Sequence, residues 1–191
     1  MMLLRVIALP LLILLTSCTA ILVETTDEQG IRENPTERTA GAVVEDKSIE
    51  TKIAVNMKSQ QPAFRESHFD VKSYNGVVLM VGQVQSEALR RQATDIASRA
   101  SAKIKRIHNE LEVGENSSML KRTSDNWIAT KVRTKLIANR DVPADQIDVI
   151  TENGAVYLMG LVSEAEGDNA ANVAREVAGV TRVVKVFEYL N

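Results

Sequence analysis

The sequence predicts an α+β fold built twice: two tandem αββαβ units, each a small mixed three-stranded sheet with two helices. Three observations predict it. The chain aligns with itself: Asp46 to Ile53 with Asp125 to Val132, Phe69 to Val71 with Ile147 to Val149, and Ser86 to Ala88 with Ser163 to Ala165. Each copy carries an Asn-Gly pair, Asn75-Gly76 and Asn153-Gly154, followed by a further glycine, Gly82 and Gly160. Asn-Gly between apolar runs is the strongest short-range hairpin signal, because a type I′ turn needs positive φ twice. Finally, apolar residues recur at helical spacing around each hairpin and form near-continuous runs within it. The small register slips between the copies fall in connections, where insertions are tolerated.

Ahead of the repeat, residues 1–17 read as a signal peptide. Arg5 gives a positive start, and Val6 to Leu14 form an apolar run broken only by Pro10. That run is short for a membrane span, which needs about 20 residues. It ends in Leu15, Thr16, Ser17 and Cys18, which resembles the lipobox of bacterial lipoproteins. The resemblance implies cleavage before Cys18 and acylation of that residue, making Cys18 the candidate lipidation site. Acyl chains contribute about 0.8 kcal/mol per buried methylene, so two or three hold almost irreversibly. Residue 19 is Thr, whereas aspartate there marks inner-membrane retention in that family. The implied address is the outer membrane, lipid-anchored and facing the periplasm. A plain signal peptide ending near a buried cysteine is the alternative.

Cys18 is the sole cysteine, so no intrachain disulfide and no cysteine metal cluster can form. Net charge is −2; bulk electrostatics names no partner, and nucleic acid is not expected. Residues 18–45 read as the acylated cysteine and an acidic tether, with Glu24, Asp27, Glu28, Glu33, Glu37 and Glu45 against Arg32 and Arg38. No period persists there, so disorder is expected.

The first unit spans 46–113, a linker 114–123, and the second unit 124–191. A helix opens each unit at Asp46 or at Ser124/Asp125, with Ile49, Ile53 and Met57, or Ile128, Val132 and Leu136, on one face. Strands follow at 68–73 and 77–84, or 146–151 and 155–162, joined by Asn-Gly. Ser86 and Ser163 can cap a second helix, and Ser163 with Glu166 forms a capping box. That helix buries Leu89, Ala93, Ile96, Ala97 and Ala100, or Ala170, Val173, Ala174 and Val177. A last strand, 106–113 or 182–189, returns by a right-handed crossover and lies parallel to the strand before the helix. The run Val77 to Val81 is too apolar to have a wet face. Helices cover one side of such a sheet, and the other unit is the expected cover for the second side; two fully independent units are the alternative.

This αββαβ unit, with Asn-Gly between its strands and glycine within the second, resembles a BON domain. The closing stretch Gly179, Val180 and Val183 fits the family pattern; the first unit has Lys103, Ile104 and Ile107, with lysine in place of the glycine at a turn. Two such units behind a lipobox resemble the dual-BON outer-membrane lipoproteins of Gram-negative bacteria. The resemblance implies phospholipid binding and a role in envelope integrity.

No catalytic constellation appears, and no cofactor is expected. His68 and His108 stand over Gln146 and Val184, and no second ligand lies at metal spacing. There is no phosphate loop or nucleophile elbow. The chain reads as a non-enzyme.

The repeat controls for function, since residues that the fold requires recur in both copies. Trp127, the sole tryptophan, stands over Ser48. At 100° per residue the apolar stripe Ile128, Val132, Leu136 centres about 140° from Trp127, while Lys131, Thr134 and Ala138 lie within about 40° of it. Trp127 therefore points away from the core, beside Lys131 and Lys135. Indole flanked by lysines suits an anionic bilayer surface. Trp127, Lys131, Thr134, Lys135 and Ala138 are the candidate lipid-binding residues; packing on the other unit or on the linker is the alternative for Trp127. The first unit carries net charge +3 and the second −3, so a purely electrostatic binder would use Arg90, Arg91, Lys103, Lys105 and Arg106, all expected to face solvent. Yet Lys131, Arg133, Lys135 and Arg140 concentrate charge on one helix. The leading reading is recognition of anionic phospholipid by the second unit. The alternative is a periplasmic adaptor docking an outer-membrane assembly or cell-division protein.

Overall fold

A computed structural model of the protein describes residues 37–190; Cys18, the signal peptide and most of the tether lie outside them. Helix α1 (Ala40–Gln60) and a 3-10 turn (Pro62–Arg65) lead into β1 (His68–Tyr74), β2 (Val77–Val84), α2 (Glu87–Ser98) and β3 (Arg106–Val113). The order repeats with α3 (Met119–Ala138), a 3-10 turn (Ala144–Gln146), β4 (Ile147–Glu152), β5 (Ala155–Val162), α4 (Glu164–Arg175) and β6 (Arg182–Tyr189). In each sheet the first two strands are antiparallel and the third is parallel to the middle one. The expected α+β class and αββαβ order are both present.

The hairpin signal reads true. Asn75 and Gly76 have φ of 50° and 79°, Asn153 and Gly154 have 49° and 78°, the left-handed pair that a type I′ turn demands. Gly82 and Gly160 answer to a close approach of backbone. A Cβ there would stand 2.2 Å from the His68 carbonyl oxygen or 2.4 Å from that of Gln146.

The first helix of each unit opens earlier than the sequence suggests. Thr39 caps α1 by accepting from the Ala42 N–H, and Ser118 caps α3 by accepting from that of Lys121. Residues 40–45 of the expected tether and 119–123 of the expected linker are therefore helical. Asp46 and Asp125 lie inside their helices, buried, and do another job. Asp46 accepts from the Asn75 and Gly76 N–H groups at 2.7 and 2.9 Å. Asp125 accepts from those of Asn153 and Gly154 at 3.0 and 2.8 Å. Each carboxylate thus satisfies the outward amides of its own hairpin turn and locks the helix to it. The predicted caps of the second helices are present, including the Ser163–Glu166 box. Hydrogen bonds from Ser163 hold the Glu166 carboxyl below the usual carboxylate range.

Three apolar cores stack in four layers. Val78, Met80 and Val84 of β2 face α1 and α2, and Val156, Leu158 and Val162 of β5 face α3 and α4. The alternate residues Val77, Leu79 and Val81 meet Tyr157, Met159 and Leu161 between the sheets. Strand periodicity of two sends successive side chains to opposite faces, so both faces of each central strand are dry. The second unit covers the first, as the apolar run requires.

Reciprocal polar contacts rim this central core. Asn75 Nδ2 donates to Glu188 at 2.8 Å, and Asn153 Nδ2 to Glu112 at 3.4 Å. Arg106 donates to the Phe187 carbonyl at 2.8 Å, and its repeat counterpart Arg182 to Tyr157 Oη at 2.9 Å and Glu110 at 3.5 Å. At the linker, Gln83 Nε2 donates to buried Glu152 at 2.7 Å, and the Ser117 N–H to Gln83 Oε1 at 2.8 Å.

Candidate functional site

Helix α3 presents its core stripe inward and a second, unburied apolar stripe outward. Ile128, Val132 and Leu136 are buried, whereas Trp127 is 62 % exposed. Trp127 belongs to none of the three apolar cores. Lys131 Nζ sits 5.2 Å from the ring centroid, close enough for a cation–π contact worth about 0.5–1 kcal/mol at an exposed site. Thr134 and Ala138 are exposed on the same face. Lys135 is exposed too, but its ammonium lies 3.6 Å from Glu176; an open pair of that kind is worth about 0–1 kcal/mol.

The structure adds Met119 and Leu120 of the expected linker, and Ile137 near the end of α3. Leu120 is 83 % exposed, Met119 78 % and Ile137 75 %. On an ideal helix Leu120 stands about 20° from Trp127, and Met119 and Ile137 about 80° on one side. The signal was available as the i−7 spacing from Leu120 to Trp127, once α3 is extended to Met119. The stripe runs the length of a 20-residue helix, about 30 Å. Among the described residues no helix is long and apolar enough to cross a membrane.

Two charge expectations need correction. Arg133 donates to the Val149 carbonyl at 2.6 Å, and Arg140 lies beyond the end of α3, so the cation that this face sets beside the indole is Lys131. In the first unit, Arg106 and Lys105 are spent on Phe187 and Glu188 of the second, and Arg90 is tied to Asn109 and Glu87. Lys105 and Arg106 are exposed, as expected, yet their charged groups are engaged by the second unit, while Arg90 is half-buried against its own. Arg91 and Lys103 remain exposed.

His68 Nε2 lies 3.8 Å from Glu152. His108 Nε2 is buried without a hydrogen-bond partner; burial, then Arg106, pushes its pKa below the usual 6.5. Among the described residues no trio of histidine and carboxylates could hold a metal ion.

The BON domain family matches residues 45–115 and again 124–191. The chain belongs to the BON-domain family. A 21 kDa hemolysin of Actinobacillus pleuropneumoniae is 39 % identical over 153 residues, covering 80 % of this chain and 78 % of that one. The outer membrane lipoprotein DolP of Haemophilus influenzae is 33 % identical over 154 residues, covering 81 % and 79 %. The osmotically-inducible protein Y of Escherichia coli is 26 % identical over 164 residues, covering 84 % and 81 %.

Proposed function

We propose that this BON-domain protein is an outer-membrane lipoprotein, anchored through Cys18, that binds anionic phospholipid at the periplasmic leaflet through α3 and supports envelope integrity. It acts by binding and not by catalysis. The observation that carries the reading is the exposed stripe of Leu120, Trp127 and Ile137, edged by Lys131 on a helix whose opposite face is core. A monomeric protein seldom leaves such a row bare without a use. Laid flat on a bilayer, the helix puts indole and aliphatic groups at headgroup depth and its ammonium groups among the phosphates. The likeness to a protein named an outer membrane lipoprotein supports the address, and the Leu15 to Cys18 string supports the anchor.

Vesicle flotation tests the lipid site. Protein lacking residues 1–18 should rise with vesicles containing phosphatidylglycerol and stay behind with phosphatidylcholine alone. If it is folded yet rises with neither, the stripe is a protein-docking surface and the adaptor alternative takes over. The anchor has its own test: Cys18→Ala should abolish labelling by a palmitate analogue and leave the pellet or persist as precursor. Normal acylation in that variant would refute the lipobox.

A further inference from the structure

Each unit has an open pocket at the same place in its fold, between the start of the first helix, the Asn-Gly turn and the loop before the last strand. The two cavities differ in a way that the fold does not require. In the first unit the cavity measures about 350 Å³, with Gly41, Ala42 and Ile49 on the helix side and Lys103 and Lys105 on the loop side. In the second it measures about 240 Å³; Lys121 replaces the small helix residue, and Gly179 and Thr181 replace the two lysines. The loop side of the first cavity is held firmly. The Lys105 N–H donates to the Gly76 carbonyl at 2.8 Å, and a Cβ on Gly76 would stand 2.5 Å from the Lys103 carbonyl oxygen.

The lining separates into an aliphatic wall and a cationic lip. Lys103 is exposed and makes no ion pair or hydrogen bond through its ammonium group among the described residues, while Lys105 shares its charge with Glu188 at 2.8 Å. Two carboxylates share the lining, one ion-paired and the other only hydrogen-bonded. Asp46 takes Ser73 Oγ, the two turn amides and Arg38, and Glu45 accepts from Ser101 Oγ at 3.3 Å. The volume lies at the small end of the range for ligand pockets, about 300–1,000 Å³. That is room for a charged head and a short length of one chain. We propose that this pocket of the first unit binds a single-tailed anionic amphiphile, with its head on Lys103 and Lys105 and its tail against Gly41 and Ala42, above buried Ile49. A fatty acid and a lysophospholipid share that chemistry.

Amide NMR on the full soluble chain carrying Trp127→Ser tests this apart from the α3 site. Octanoate and a short-chain lysophosphatidylglycerol, both below micelle concentration, are the two probes and distinguish carboxylate from phosphodiester heads. At least one should shift the Gly41 and Gly76 amides saturably, with Gly154 and Gly179 moving far less. Inorganic phosphate, which lacks a tail, should bind at least tenfold more weakly. Lys103→Glu should weaken the active probe at least tenfold. Ala42→Leu, which fills the cavity with a good helix former, should do the same. Equal shifts in both units, or full binding by either folded variant, would overturn the assignment. Failure of flotation in wild-type protein with these shifts intact would remove only the α3 reading.

Discussion

The two units share a backbone plan and part company in what they do with identical positions. Asp46 and Asp125 each accept both amides of their own turn, but only Asp46 has a cation on it: Arg38 Nη1 lies 3.1 Å from Oδ2, with its guanidinium 4.0 Å above the Tyr74 ring. In the second unit Ser117 stands in the place of Arg38 and binds Asn153 Oδ1 instead, at 2.6 Å. Outward, α3 has Leu120, Trp127 and Ile137 where α1 has Gly41, Ser48 and Lys58. The lesson is that the turn lock belongs to the fold, while the stripe, the arginine clasp and the lysine lip are features of single copies.

The largest test of that comparison is removal of the locks. Asp46→Ala strips a buried ion pair and orphans two turn amides, and should cost about 3–5 kcal/mol. Asp125→Ala orphans amides only and should cost about 2–3 kcal/mol. Urea denaturation of both variants checks the order; equal losses would mean that Arg38 adds nothing.

Exchanging the stripe residue comes next. Trp127→Ser copies the first unit, so circular dichroism and melting should barely change. Vesicle affinity should fall by about 2 kcal/mol, or tens-fold. The reverse exchange, Ser48→Trp in that background, should restore little, because α1 lacks partners equivalent to Leu120 and Ile137. Full recovery would show that an indole on the first helix of either unit suffices. Lys131→Glu should cost about 2 kcal/mol of affinity at low salt, since each basic residue at an anionic surface is worth about 1 kcal/mol and the sign reverses. That loss should shrink in high salt while the tryptophan effect persists; parallel decline of both would point to charge alone.

The smallest effect concerns His108, whose counterpart is Val184. Burial and Arg106 hold its folded pKa below the ordinary 6.5. The unfolded chain therefore takes up the proton first, so stability is full above about pH 6.5 and declines as pH falls from there toward the folded pKa. His108→Val should flatten that part of the stability–pH profile and change stability at neutral pH by about 1 kcal/mol or less. An unchanged slope would assign the decline to other groups.

Local signals made the strands and turns legible: Asn-Gly imposes its backbone, and continuous apolar runs declare sheets buried on both sides. Trp127 was legible because helical phase alone puts it opposite Ile128 and Val132. The helix starts were hidden because Val43, Val44, Met119 and Leu120 face solvent, so no amphipathic period marks those turns. Asp46 and Asp125 looked like caps because a residue bonding to a turn far along the chain leaves no local trace. Arg106 and Lys105 looked free for the same reason: their partners belong to the other copy. The Lys103 cavity was invisible, since a missing glycine in a loop says nothing about the space beside it.

The dry seam between the sheets has a consequence for how the molecule is born. Synthesis delivers the first unit before the second, and until β5 arrives Val77, Leu79 and Val81 have nothing to lie against. The early half is thus a sticky intermediate whose natural cover is still being made, and exposed apolar strands of this kind are prone to aggregate. A nascent chain halted at the linker would seek the same face on a neighbour. The tandem in one chain shortens that wait, because the matching sheet follows on the same thread.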